Sequence, residues 1–74
     1  MTNFSIAQAL VEATQMLRQG GVSEARRDAA TLLAHLIGRD QTYLITHAER
    51  ELAGTDVARY RATVERRAAG EPLQ

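Results

Sequence analysis

The stretch Ser23-Glu24-Ala25-Arg26-Arg27-Asp28-Ala29-Ala30-Thr31-Leu32-Leu33-Ala34-His35-Leu36-Ile37-Gly38 decides the fold class. Ala25, Ala29, Leu32, Leu33, Leu36 and Ile37 recur at the three- and four-residue intervals of one helix face. Ser23 is a helix-capping residue type, Glu24 puts negative charge in the first turn, and Gly38 suits a left-handed stop. This is the densest aliphatic run in the chain, and it predicts the central helix of a helical core. Leu32 and Leu36 are expected in that core, where truncation to Ala costs ~2–5 kcal/mol.

The segments on either side carry the same period. Toward the N-terminus, Ile6, Leu10, Ala13 and Leu17 form a stripe that Ala9 and Met16 widen. Ser5 followed by Gln8 is a capping-box pattern, Phe4 can fold over the first turn, and Gly20-Gly21 ends the helix after Arg18. Toward the C-terminus, Asp40 can cap a short helix through Thr46 or His47, with Tyr43 and Leu44 inward. Residues 48–54 are less periodic, and one further helical turn is expected around 49–52. Thr55 or Asp56 then caps a fourth helix with Val57, Tyr60, Val64 and Ala68 on one side and Arg59, Thr63 and Arg66 on the other. Gly70 terminates it, and Pro72 forces Glu71 out of helical geometry. The prediction is an all-α small bundle of three long helices plus one or two short ones, occupying residues 1–70.

Composition narrows the function classes. A chain of 74 residues is one small domain, and 45% hydrophobic with 24% charged residues is an ordinary globular mix. Nine basic residues, all arginine, balance nine acidic ones, which argues against a dedicated nucleic-acid or membrane-surface binder. The chain has no cysteine, so disulfides, thiolate nucleophiles and cysteine-bound zinc are excluded. No apolar run approaches the ~18–20 residues of a membrane span, and the N-terminus lacks a signal-peptide pattern. These features lead us to expect a cytoplasmic monomer.

Candidates for catalysis are few. His35, beside the apolar stripe, reads as a boundary residue, and His47, at the end of the short helix, as a capping group. No HxxxH, HExxH or cysteine pattern offers a metal site. Glu49 and Glu51 around Arg50 read as a solvated loop, and Asp28 with Arg26 and Arg27 as a surface charge cluster. Gly20-Gly21 is a helix–helix turn, neither a P-loop nor GxGxxG, so no cofactor-binding residue is expected. What remains is arginine on the last helix: Arg59, Arg66 and Arg67 are the candidates for contact with a partner, guanidinium being suited to carboxylate and phosphate. The residues by themselves describe a helical module that makes contacts.

Two stretches resemble a known family. Arg26-Arg27-Asp28-Ala29-Ala30-Thr31-Leu32-Leu33-Ala34-His35-Leu36-Ile37-Gly38-Arg39-Asp40 is similar to the RxDAxxLLAHxLGRD segment of the release factor glutamine methyltransferases, the PrmC/HemK family. Arg66-Arg67-Ala68-Ala69-Gly70-Glu71-Pro72-Leu73-Gln74 resembles their RRxxGEPLxYIxG junction. Order and separation match as well, and one departure is Ala30, where glutamate is frequent in the family.

The resemblance implies a helical N-terminal domain over residues 1–70, with 71–74 the start of a linker to a Rossmann-like methyltransferase domain. That domain binds S-adenosylmethionine, and its Asn-Pro-Pro-Tyr motif grips the target amide, the Gly-Gly-Gln glutamine of class I peptide-chain release factors. No motif of that kind can be matched in this sequence, so no catalytic, cofactor or metal residue is carried over. The implied role is to help hold the release factor, or to pack on the catalytic domain, through Arg59, Arg66 and Arg67. The alternative is a stand-alone helical protein-interaction module.

Overall fold

The computed structural model describes residues 4–70, which hold four helices: α1 (Ile6–Gln19), α2 (Ala25–Ile37), α3 (Gln41–Thr46) and α4 (Gly54–Ala68). The fold is all-α. The expected break at Glu71-Pro72 lies outside the described residues.

Local chemistry accounts for three of the helix ends. The Ser5 hydroxyl accepts from the Gln8 N–H at 3.1 Å, and the Gln8 side-chain oxygen accepts from the Ser5 N–H at 2.9 Å, completing the capping box. Asp40 caps α3 by accepting from the Tyr43 N–H at 2.9 Å. At the end of α2, Gly38 adopts φ +71°, which favours glycine. The Arg39 N–H then reaches the Ala34 carbonyl at 3.0 Å and the Gly38 N–H the His35 carbonyl at 3.3 Å, a paired closure that sets where Arg39 emerges.

Two helix starts differ from expectation. α2 is capped at Glu24 without a side-chain hydrogen bond, and Ser23 lies one residue too early, in the exposed turn. α4 starts at Gly54 after an N-cap at Ala53, ahead of Thr55 and Asp56. Asp56 falls in the first turn, where its charge complements the dipole.

The core runs along α1. Ile6, Ala9, Leu10, Ala13 and Leu17 are buried against Ala25, Ala29 and Leu33 of α2, Leu44 of α3, and Tyr60 and Val64 of α4. Leu32 and Leu36 pack against this core but are only partly buried, because the centre of the α2 face runs through Ala25, Ala29 and Leu33. Asp28, expected in a surface cluster, is buried on this same face at 8% exposure. Tyr60, at 2% exposure, donates its hydroxyl to the Ala29 carbonyl at 2.7 Å and so satisfies its one polar atom inside the core. Burial first, and the charge of Glu12 second, push the Tyr60 phenol well above its ordinary range.

The expected helical turn at 49–52 is absent. Residues 47–49 form a turn, closed by the Arg50 N–H on the His47 carbonyl at 3.0 Å, residues 50–53 are not helical, and Glu51 forms an isolated antiparallel bridge with Ser5. The carbonyls of Arg50 and Ala48 accept from the Ile6 and Ala7 N–H groups at 2.9 and 2.8 Å, while the Leu52 N–H reaches the Phe4 carbonyl at 2.9 Å. The first N–H groups of α1 need acceptors, and a distant stretch of backbone supplies two of them.

Candidate interaction surfaces

The structure separates the three arginines singled out on α4. Arg59 and Arg66 are exposed, and Arg59 lies 3.8 Å from Asp56 on its own helix. Arg67 turns inward. Its Nη2 donates to Asp28 Oδ2 at 2.9 Å, with 25% of the Arg67 side chain and 12% of the Asp28 side chain accessible. Arg61 pairs with Glu12 of α1 through two hydrogen bonds of 2.8 and 3.2 Å, and its guanidinium lies 5.0 Å from the centre of the Phe4 ring. The Glu12 hydrogen bond and charge raise the Arg61 guanidinium further above its ordinary value.

The histidines take modest positions. His35 is exposed on α2. His47 is the C-cap of α3, its Nδ1 within 2.9 Å of Thr46 Oγ1 and 3.3 Å of the Tyr43 carbonyl. Glu49 and Glu51 are exposed on either side of Arg50. Among the described residues no group of three or more His, Cys, Asp or Glu side chains is placed to hold a metal ion, and no helix is long and apolar enough to cross a membrane.

Two features were not apparent in the sequence. The first is a polar array on Tyr43: His47 stacks on its ring with centroids 4.0 Å apart, Arg39 lies 4.9 Å from the ring centre, and Arg50 donates to the hydroxyl at 2.7 Å. Only the Tyr43–His47 spacing of one helical turn signals it in sequence; the two arginines arrive from outside α3. The second is an apolar groove of about 410 Å³ between α1, α2 and α3, where Val11 and Ile45 stand 53% and 77% exposed and Arg26 and Ala30 contribute to the lining. Val11 and Ile45 lie outside the buried stripes, which is the signal that could have marked them.

A family model for the PrmC N-terminal domain matches residues 8–74. The chain belongs to that family. The PrmC N-terminal domain here is 34% identical over 71 residues to the release factor glutamine methyltransferase of Aliivibrio fischeri, covering 96% of this chain and 25% of that protein. It is 36% identical over 69 residues to the enzyme of the same name from Vibrio cholerae, covering 93% and 24%. With the Moorella thermoacetica enzyme the identity is 39% over 70 residues, covering 95% and 25%. The chain thus spans about a quarter of the length of the curated relatives it matches. No solved structure matches it at a comparable level.

The cleft beside Tyr43 is lined by Glu51 and Asp56 as well as by Arg39 and Arg50, and the apolar groove by Arg26, so neither lining by itself assigns a place to S-adenosylmethionine.

Proposed function

We propose that residues 1–70 are the substrate-docking domain of a protein-(glutamine-N5) methyltransferase, and that residues 71–74 begin the linker to its S-adenosylmethionine-binding domain. The reaction proposed for the whole enzyme is methylation of the Gly-Gly-Gln glutamine of class I peptide-chain release factors. The observation that carries this reading is the family match over residues 8–74, together with relatives named release factor glutamine methyltransferase. In this reading the helical unit performs no chemistry. It holds a large protein substrate at a distance from the reacting amide, so that remote binding energy orients that amide in the other domain.

The contact surface we propose is the outer face of α4, with Arg59 and Arg66 touching the release factor or the neighbouring catalytic domain. Arg67, the third candidate, would hold α4 in place from beneath through Asp28. Titration of the ¹⁵N-labelled chain with an unmodified class I release factor tests the docking. Amide shifts confined to α4, lost in an Arg59→Glu, Arg66→Glu double variant, are expected. A titration that leaves α4 unperturbed would argue against direct docking there. In that event a structure of the whole enzyme with both arginines buried between domains would reassign them to interdomain packing.

A further inference from the structure

Where the extended 50–53 segment passes the start of α3, it borders a cleft of about 320 Å³. Its lining includes the partly buried Ile37 and Leu52, Ile6 itself being inaccessible. The lining also carries Tyr43, with Arg39 against its ring and Arg50 on its hydroxyl. We propose that this cleft binds a carboxylate on a short apolar stem, the side chain of a glutamate or aspartate in an extended segment of a partner protein, with Arg39 and Arg50 as the receiving groups.

The argument starts from how the two guanidiniums are held. Arg50 gives a single N–H to the Tyr43 hydroxyl at 2.7 Å, and Arg39 lies against the ring. A guanidinium has five N–H donors, so both retain several for a ligand. Among the described residues neither forms an ion pair, whereas Arg61 and Arg67 each meet a carboxylate at 2.8 and 2.9 Å. Glu51 and Asp56 also border the cleft, yet Asp56 faces Arg59 at 3.8 Å. Two like charges are therefore gathered on one phenol, and among the described residues no carboxylate, Glu51 and Asp56 of the same lining included, comes within ion-pair distance of either. An entering carboxylate would relieve their repulsion and match their planar forks.

The other lining residues select the kind of anion. Glu51 and Asp56 penalise a dianion such as phosphate more than a monoanionic carboxylate. Ile37 and Leu52, both partly accessible, suit a hydrocarbon stem, which phosphate lacks. Neither step relies on the methyltransferase reading, and the release factor need not touch this cleft for that reading to hold.

The test uses the ¹⁵N-labelled 74-residue chain. It is titrated separately with acetyl-Leu-Glu-Leu-amide, with acetyl-Leu-Gln-Leu-amide and with inorganic phosphate. The glutamate peptide is expected to move the Nε–Hε signals of Arg39 and Arg50 and the amides of Glu51, Leu52 and Ala53. The glutamine peptide should bind about tenfold more weakly, and Arg39→Gln or Arg50→Gln should weaken the glutamate peptide by a similar factor. Tyr43→Phe keeps the ring but frees Arg50, and should give a smaller loss; with Arg39→Gln it still reads the site if Arg50→Gln perturbs the fold. Equal affinity for the two peptides, tighter binding of phosphate, shifts centred elsewhere, or no shifts in these residues would each overturn the proposal. A negative result here leaves the α4 titration with release factor unaffected, so the two ideas fail separately.

Discussion

Arg67 of α4 and Asp28 of α2 meet at 2.9 Å, 39 residues apart in sequence, where only 8% of Asp28 is accessible. The pair joins the two stretches of sequence that carry the family resemblance. It fixes the end of α4 against the start of α2, a task neither stretch signals by itself. A buried charge left without its partner is costly, so Asp28→Asn and Arg67→Met should each lower the unfolding free energy by ~1–3 kcal/mol. In urea melts the double variant should lose less than the sum, with a coupling of at least about 0.5 kcal/mol. Strict additivity would mean the pair does not tie the helices.

Tyr60 makes the stability of the bundle sensitive to alkaline pH. Its phenol is raised from an ordinary value of 10.0 by burial and by Glu12. Above about pH 10 the unfolded chain gives up this proton and the folded chain keeps it. The contribution is therefore complete below that pH and declines as pH rises further. Stability measured by urea melts should fall from pH ~9.5 to ~11, and Tyr60→Phe should flatten the decline. The same substitution removes the hydrogen bond to the Ala29 carbonyl and should cost ~1–3 kcal/mol at neutral pH.

Gly20 is required by proximity. A Cβ built there overlaps the Ala68 carbonyl oxygen and lies 2.9 Å from the Ala68 side chain, although its φ of −82° is open to any residue. Gly20→Ala must push α1 and α4 apart and should destabilise by ~1–3 kcal/mol. Gly54→Ala meets nothing within 4 Å and has ordinary helical surroundings, so it should leave stability unchanged or raise it slightly. Thermal melts of the two variants compared side by side decide the matter.

Adjacent leucines on α2 should differ sharply. Leu33 is fully buried, and Leu33→Ala should cost ~2–5 kcal/mol, enough to unfold so small a domain. Leu32 packs only at the edge of the core, so Leu32→Ala should cost ~1–2 kcal/mol. Equal losses in denaturant titrations would contradict the observed rotation of the helix.

That rotation shows where reading the sequence stops being sufficient. Aliphatic residues around Leu33 announce a helix face clearly, but the face spans Leu32, Leu33, Leu36 and Ile37, and its deepest line depends on what packs against it. Ala25 and Ala29, at 3% and 0% exposure, lie deeper than Leu32 and Leu36, and the Ala29 carbonyl accepts from the Tyr60 hydroxyl of α4. Ser5, Gln8, Asp40 and Gly38 were legible because each acts on backbone groups within a few residues. The 49–52 segment was misjudged as helical because its backbone partners are Phe4 and the start of α1, far away in sequence.

The candidate sites divide along the same line. Arg59 and Arg66 were placed correctly on the exposed side of α4, since helical period alone decides which residues share a face. The Tyr43 array was not visible, because Arg39 reaches it through the glycine turn after α2 and Arg50 through the returning strand-like segment.

The motif stretches at 26–40 and 66–74 marked the family, while hydrophobic period, caps and glycine stops determined from the sequence alone that this chain forms helices and roughly where each lies. Those signals act within one or two turns of backbone. Only the tertiary structure decided which charge meets which, turning Asp28 and Arg67 into an internal tie and leaving Arg39 and Arg50 gathered on one phenol. The reason is physical: an ion pair depends on through-space distance and burial, and both are set by how the helices are docked.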